Sequence, residues 1–178
     1  MLEPNFGDWV TIIGQGAIGL LMTQLAQLKG CRVIAVDLDD YRLRLAEKYG
    51  AEFCINADRE DVIQHVRKIT KRGSDIVIEA AGTSGTVEQT PFMVRKVGKV
   101  ALVGEPKGFL NLENADEAVL FTMHISPTEY PLAVELIAEK IVDVKGLVTH
   151  RFRLEDFESA LRAVDDTLEK TLKVIITE

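Results

Sequence analysis

The sequence predicts an α/β fold: a doubly wound parallel sheet of about six strands with helices on both faces, followed by a small C-terminal helix and strand appendage. Three observations predict it. Short apolar runs rich in β-branched residues alternate with longer segments of helical period, the pattern of strands buried beneath helices on both sides. Glycines fall where helices need a left-handed stop. A glycine-rich turn, Gly14-Gln15-Gly16-Ala17-Ile18-Gly19, follows the first apolar run and opens the first helical segment.

The elements follow in order. Val10 to Ile13 reads as the first strand, and Ile18, Leu21, Met22, Leu25 and Leu28 recur at helical spacing until Gly30. Arg32 to Val36 is the second strand, and a helix from about Asp40 to Tyr49 ends at Gly50. Phe53 to Ile55 is the third strand, followed by a helix carrying Val62, Ile63, Val66 and Ile69 that ends near Gly73. Asp75 to Ile78 is the fourth strand. The next helix runs from about Ser84 to Lys96, with Pro91 kinking or shortening it, and Lys99 to Val103 is the fifth strand. A loop with Pro106 and Gly108 leads to a strand at Val119 to Ile125, and Pro127 and Pro131 open a helix through Lys140. A short strand around Leu147 to Phe152, a helix with Phe157, Ala160, Leu161 and Val164 on one face, and a final strand Leu172 to Thr177 complete the chain. The composition shift near Ser126 divides it into residues 1–126, the sheet domain, and 127–178, the appendage.

Composition bounds the function. The 178 residues suffice to bury one real core, and 47% hydrophobic with 28% charged residues is ordinary for a soluble globular protein. No apolar run approaches the ~20 residues that cross a bilayer, and MLEPNFGDW lacks the basic and apolar regions of a signal peptide, so a cytoplasmic location is expected. A net charge of −7 without a long Lys/Arg run argues against nucleic acid. Cys31 and Cys54 flank strands and read as buried, reduced core thiols. His65, His124 and His150 lie on separate elements with no partner at metal-ligand spacing, and read as structural or surface histidines.

The glycine turn carries the chemistry. In its strand–turn–helix setting GxGxxG is the dinucleotide-binding fingerprint of a Rossmann sheet. Gly14 permits the tight turn, Gly16 lets backbone approach a pyrophosphate, and Gly19 lets the helix pack closely on the sheet. The diphosphate would meet backbone N–H groups and the positive end of the helix beginning near Ala17. Asp37 lies 23 positions after Gly14, at the end of the second strand, where a carboxylate accepts hydrogen bonds from the adenosine ribose. Asp39 and Asp40 crowd the same turn, so a 2′-phosphate would face three carboxylates opposed only by Arg42 and Arg44; the spacing fits NAD rather than NADP. A helix cap accounts equally well for Asp39 or Asp40. Glu79, at the carboxyl end of the fourth strand, reads as a carboxylate hydrogen-bonded to backbone N–H groups.

The stretches GDWVTIIGQGAIGLL, VIAVDLDDYRLRLAEKYGA, DIVIEAAG, KVALVGEP and LVTHRFRLEDFESALRA with KTLKVIITE resemble the zinc-dependent medium-chain alcohol and polyol dehydrogenases, similar in places to sorbitol and threonine dehydrogenases. The resemblance implies that Gly14, Gly16, Ala17, Ile18 and Gly19 hold the pyrophosphate, that Asp37 and Arg42 contact the ribose, and that Ala80, Ala81, Val103 and Gly104 line the adenine and nicotinamide ends. It puts Lys173 near the coenzyme phosphates. The expected cofactor is NAD, and the expected activity is hydride transfer between a secondary alcohol and nicotinamide.

In this family an N-terminal domain supplies the zinc ligands and proton relay, and that part precedes the point where this chain begins. The chain alone is therefore expected to bind NAD(H) without zinc or turnover, with no catalytic or metal residue of its own, and to form a homo-oligomer or meet a partner supplying the catalytic domain. Residues 127–178 resemble the return into that domain, and their strands and apolar side chains are expected to be exposed. Ser126-Pro127 stands where the family usually carries a glycine after a dimer-forming edge strand. A non-catalytic NAD(H)-sensing module is the alternative, and an S-adenosylmethionine-dependent methyltransferase a more distant one, since glycine-rich loops with a distal acid also bind that cofactor.

Overall fold

The computed structural model describes residues 2–105, 118–122, 127–165 and 170–178. Strands β1 (Trp9–Ile13), β2 (Arg32–Asp37), β3 (Phe53–Asn56), β4 (Ser74–Glu79), β5 (Val94–Leu102) and β6 (Val119–Thr122) form one sheet in the order β3-β2-β1-β4-β5-β6. Every pair is parallel. The order reverses between β1 and β4, so right-handed crossovers put helices α1 (Ala17–Leu28) and α2 (Asp40–Lys48) on one face and α3 (Val62–Thr70) and α4 (Ser84–Met93) on the other. The loops at the carboxyl ends of β1 and β4 part there and leave a crevice.

The core explains the apolar strand runs. Ile34, Val36, Val77 and Val100 pack in one cluster with Val62 and Val66 of α3 and Val87 and Met93 of α4. Each such side chain fully buried contributes about 1.5–3 kcal/mol. Beneath the sheet's amino end, Asp75 is buried and accepts from Trp9 N at 2.9 Å and Arg95 Nε at 2.6 Å.

Three expectations are corrected. α1 does not bury its apolar stripe: Gly19, Leu20, Thr23, Gln24 and Ala26 face the core, while Ile18, Leu25 and Leu28 are exposed. A Cβ on Gly19 would lie 1.8 Å from Gly14 O, so the first turn must present a glycine to the loop, while Leu20 packs into the core and Thr23 donates to Gln15 Oε1 at 2.9 Å.

The fourth helix ends at Met93 rather than Lys96, because Val94 already pairs with Ser74. The helix tolerates Pro91: Thr90 Oγ1 donates at 2.8 Å to Val87 O, the carbonyl that the proline leaves without its amide donor. β5 then bulges before rejoining β4 at Lys99, and Val97 sits in the bulge with φ 58°. Cys31 is buried as expected, but Cys54 lies exposed on edge strand β3. Its thiol donates to Leu43 O at 3.4 Å, and burial of the sulfur, reinforced by Glu47, pushes it up to about 11.

Residues Met1–Ile125 and Ser126–Glu178 form separate compact units. In the second, helix α5 (Tyr130–Ala138) precedes β7 (Val148–Arg153), helix α6 (Phe157–Asp165) and β8 (Lys173–Thr177), and β7 pairs in parallel with β8. Ala160 is buried, whereas Phe157, Leu161 and Val164 of α6 are exposed. Pro106, Gly108, His124 and Ser126, with the expected strand beyond Thr122, lie outside the described residues. Among the described residues, no helix is long and apolar enough to cross a membrane.

Candidate functional site

The glycine turn is built by contacts that give each glycine a different duty. Gly14 has φ 89°, and a Cβ there would lie 2.7 Å from Ala81 N, so both conformation and close approach demand glycine. Gly19 must be glycine because the Gly14 carbonyl occupies its Cβ position. Gly16 is different. Its φ of −70° and ψ of −170° suit any residue, and nothing in the chain lies within 4 Å of where its Cβ would point. The fold therefore leaves open space above Gly16, beside the first turn of α1.

The amino end of α1 beside it is bare. Gly16 is the N-cap without a side-chain cap, and the first turn carries no acidic residue, so its leading N–H groups and dipole are not offset locally. Gln15, whose side chain the fingerprint leaves unspecified, turns inward instead: it is fully buried, with Nε2 donating to Ile12 O at 3.0 Å.

Asp37 ends β2 facing this loop. Its Oδ2 accepts from Gln15 N at 2.6 Å and its Oδ1 from Asp39 N at 2.9 Å, leaving each oxygen a further lone pair. The three-carboxylate cluster does not form. Asp39 caps α2 by accepting from Tyr41 N at 2.7 Å, and Asp40 turns away to Asn56 Nδ2 at 2.7 Å and to the Arg59 guanidinium. Arg42 stands 4.0 Å from Asp39 on α2. One carboxylate, Asp37, is left at the mouth of the loop.

Beside Asp37 opens a cleft of about 420 Å³, bordered by Val36, Leu38, Ala57, Ile63, Thr83 and Thr86. Its size falls within the range of small-molecule sites, and its lining is mainly apolar. Leu38 is 67% exposed at its rim, an apolar side chain held in solvent directly after Asp37. Sequence reading passed over Leu38, Ala57 and Thr86. An exposed leucine following the acidic end of β2 was the available signal.

Ala80 and Ala81 follow β4 and pack on Gly14, and a Cβ on Gly104 would lie 2.4 Å from Gly82 N. The structure thus gathers Gly14, Gly16, Ala17, Ile18, Gly19, Asp37, Ala80, Ala81, Val103 and Gly104 at the carboxyl end of the sheet, with Val103 and Gly104 bonded to Glu79 O. Lys173 opens β8 of the other unit, exposed. Among the described residues, no three His, Cys, Asp or Glu side chains are grouped to hold a metal. His65 is placed by Glu60 and the Asp61 carbonyl, and His150 stacks on Phe152.

Comparison with known proteins adds a family. The model of the zinc-binding dehydrogenases matches residues 17–139. The chain is 34% identical over 179 residues to an uncharacterized zinc-type alcohol dehydrogenase-like protein, YdjJ, of Escherichia coli, covering 94% of this chain and 51% of that protein. To sorbitol dehydrogenase of Bacillus subtilis it is 32% identical over 182 residues, covering 98% and 51%. A putative zinc-binding dehydrogenase from Sinorhizobium meliloti, solved bound to NADP, superposes with a TM-score of 0.90 at 26% identity, covering 98% of this chain and 53% of that one. The chain spans about half the length of the curated relatives it matches.

Proposed function

The chain belongs to the zinc-binding dehydrogenase family, and from that premise we propose that it is the NAD(H)-binding part of an alcohol or polyol dehydrogenase. The observation that carries the reading is Gly16: the fold itself has no use for a glycine there, yet the position borders the bare amino end of α1. A pyrophosphate fits that space and takes the backbone N–H groups around Ala17 and Ile18. The adenosine ribose meets the remaining lone pairs of Asp37, and the adenine lies in the cleft against Leu38 and Thr86. Ala80, Ala81, Val103 and Gly104, small or presenting backbone, border the path toward the nicotinamide. Arg42 is the further basic contact this reading assigns.

When bound, the nicotinamide supplies the hydride acceptor or donor. This chain's residues hold and orient it. Asp37 favours NAD over NADP because a 2′-phosphate would sit against its carboxylate, although the Sinorhizobium meliloti relative was solved with NADP. Among the described residues no His, Cys, Asp and Glu side chains are grouped to hold a zinc ion. In this reading residues 1–126 are the coenzyme domain and 127–178 return toward the part of the enzyme that carries the metal.

One purified sample tests the reading. Fluorescence titration should give saturable NADH binding, weaker for NADPH, with no stoichiometric zinc and no oxidation of secondary alcohols. Absence of NADH binding overturns the coenzyme assignment; tightly held zinc with alcohol oxidation overturns the division of labour.

A further inference from the structure

Resting on the coenzyme reading above, we propose that Glu79 is a positioning residue of the coenzyme cleft, whose buried carboxylate ties together the turn after β4 and the segment after β5. Glu79 ends β4 between its two neighbours, in register with Ile13 of β1 and Leu102 of β5. It therefore stands at the point where the strand order reverses, and it is fully buried. Its Oε1 accepts three hydrogen bonds, from Ala81 N at 2.9 Å, Gly82 N at 2.8 Å and Thr86 Oγ1 at 2.8 Å. Its main-chain oxygen accepts two more, from Val103 N at 2.8 Å and Gly104 N at 3.1 Å. One residue thus holds both backbone stretches beside the cleft.

The other carboxylate oxygen, Oε2, is buried without a hydrogen-bond partner. Leaving such an oxygen unmet costs the fold, and an apolar side chain would avoid the cost. What an apolar side chain cannot do is accept three donors on one atom, and a carboxylate oxygen holds them more strongly than a neutral amide oxygen would. Those donors belong to the turn and the helix that border the cleft. The Ala81–Gly82 turn is wedged between Gly14, whose Cβ position is 2.7 Å from Ala81 N, and Gly104, whose Cβ position is 2.4 Å from Gly82 N and 2.8 Å from Oε2. Thr86 lines the cleft and also bonds Thr83, another lining residue, through both hydroxyls at 2.8 Å. Releasing Glu79 therefore loosens the support of the glycine loop, the cleft wall and the Gly104 segment at once.

Glu79→Gln tests this, because it keeps the size of the side chain and an oxygen for the three donors but removes the charge that holds them, its amide nitrogen taking the place of the partnerless Oε2. NADH affinity is measured by fluorescence at a temperature where circular dichroism shows wild type and variant fully folded, so that a lowered melting temperature alone leaves Kd unmoved. The expected result is a Kd raised at least about tenfold in Glu79→Gln and about threefold in Thr86→Val, with the double variant no weaker than Glu79→Gln alone, since the two side chains act through one hydrogen bond. A folded Glu79→Gln protein with unchanged Kd overturns the proposal. If Glu79→Gln does not fold, Glu79→Asp decides: it keeps the charge but withdraws it from the three donors, so a raised Kd in the folded variant supports the proposal and an unchanged Kd overturns it. Wild type that binds no NADH overturns the coenzyme reading and this proposal with it, whereas wild-type binding with indifferent variants overturns this proposal alone.

Discussion

Gln15 N donates to Asp37 Oδ2 at 2.6 Å, joining the glycine turn after β1 to the acidic end of β2. The carboxylate assigned to the ribose is therefore also a strut of the loop assigned to the pyrophosphate. Its second bond, from Asp39 N, fixes the start of α2 as well. Loss of this one side chain should register twice, in affinity and in stability.

Asp37→Ser is expected to weaken NADH binding by about ten- to a hundredfold, the equivalent of ~1.5–3 kcal/mol for a hydrogen bond to a charged group, and to narrow the preference over NADPH. It should also lower folding stability by about 1–2 kcal/mol, because two backbone N–H groups lose their acceptor. Titration and denaturant unfolding of the same variant measure both. Unchanged affinity alongside reduced stability would leave Asp37 as a strut only.

Gly16 and Gly19 should separate binding from folding. Gly16→Val meets open space on ordinary backbone, so the melting temperature should stay within about 2 °C while NADH binding disappears. Gly19→Val drives a side chain into the Gly14 carbonyl, an overpacking that costs about 3 kcal/mol or prevents folding. Equal melting losses in the two variants would contradict the assigned duties.

Val97 offers a gain. A β-branched residue at φ 58°, 73% exposed, holds a conformation that costs L-residues about 1–2 kcal/mol, with no buried side chain to offset it. Val97→Gly removes that strain at an entropic cost of about 0.5–1 kcal/mol, for a net gain of up to about 1 kcal/mol. A rise of about 2–4 °C in Tm is expected, and calorimetry checks it.

Acid should loosen the opposite end of the sheet first. Burial pushes the Asp75 carboxyl up, but hydrogen bonds from Arg95 and Trp9 N, with the nearby charges of Arg95 and Arg72, bring it below its ordinary 3.8. A carboxyl depressed in the folded state stabilises the protein above its unfolded value, and that contribution is lost as pH falls through the folded one. The stability difference between wild type and Asp75→Asn should therefore be full above about pH 5 and shrink as pH drops below 4. Urea unfolding across pH 2.5 to 6 measures it; a pH-independent difference would contradict the ion-pair account.

Most of the fold was legible because its signals are local. Alternating apolar runs and helical periods carry strand and helix identity within a dozen residues, so β1 to β4 and α1 to α3 appear within a residue or two of where the pattern puts them. Boundaries that depend on partners were not. Val94 leaves its helical pattern because Ser74, twenty positions earlier, offers it a strand to pair with.

By itself, the sequence determined the doubly wound sheet, the glycine turn at the head of α1 and the acidic end of β2, since covalent neighbours at fixed spacing suffice to build each of them. Tertiary structure alone decided which groups meet across long separations. Gly14 lies against Ala81, Gly104 against Gly82, and Glu79 binds both turns, while Asp40 bonds Asn56 and Arg59. It also turned Ile18, Leu25 and Leu28 of α1 outward while burying Leu20, and set the Gly14 carbonyl where a Cβ on Gly19 would lie, a distance that no pattern along the chain records.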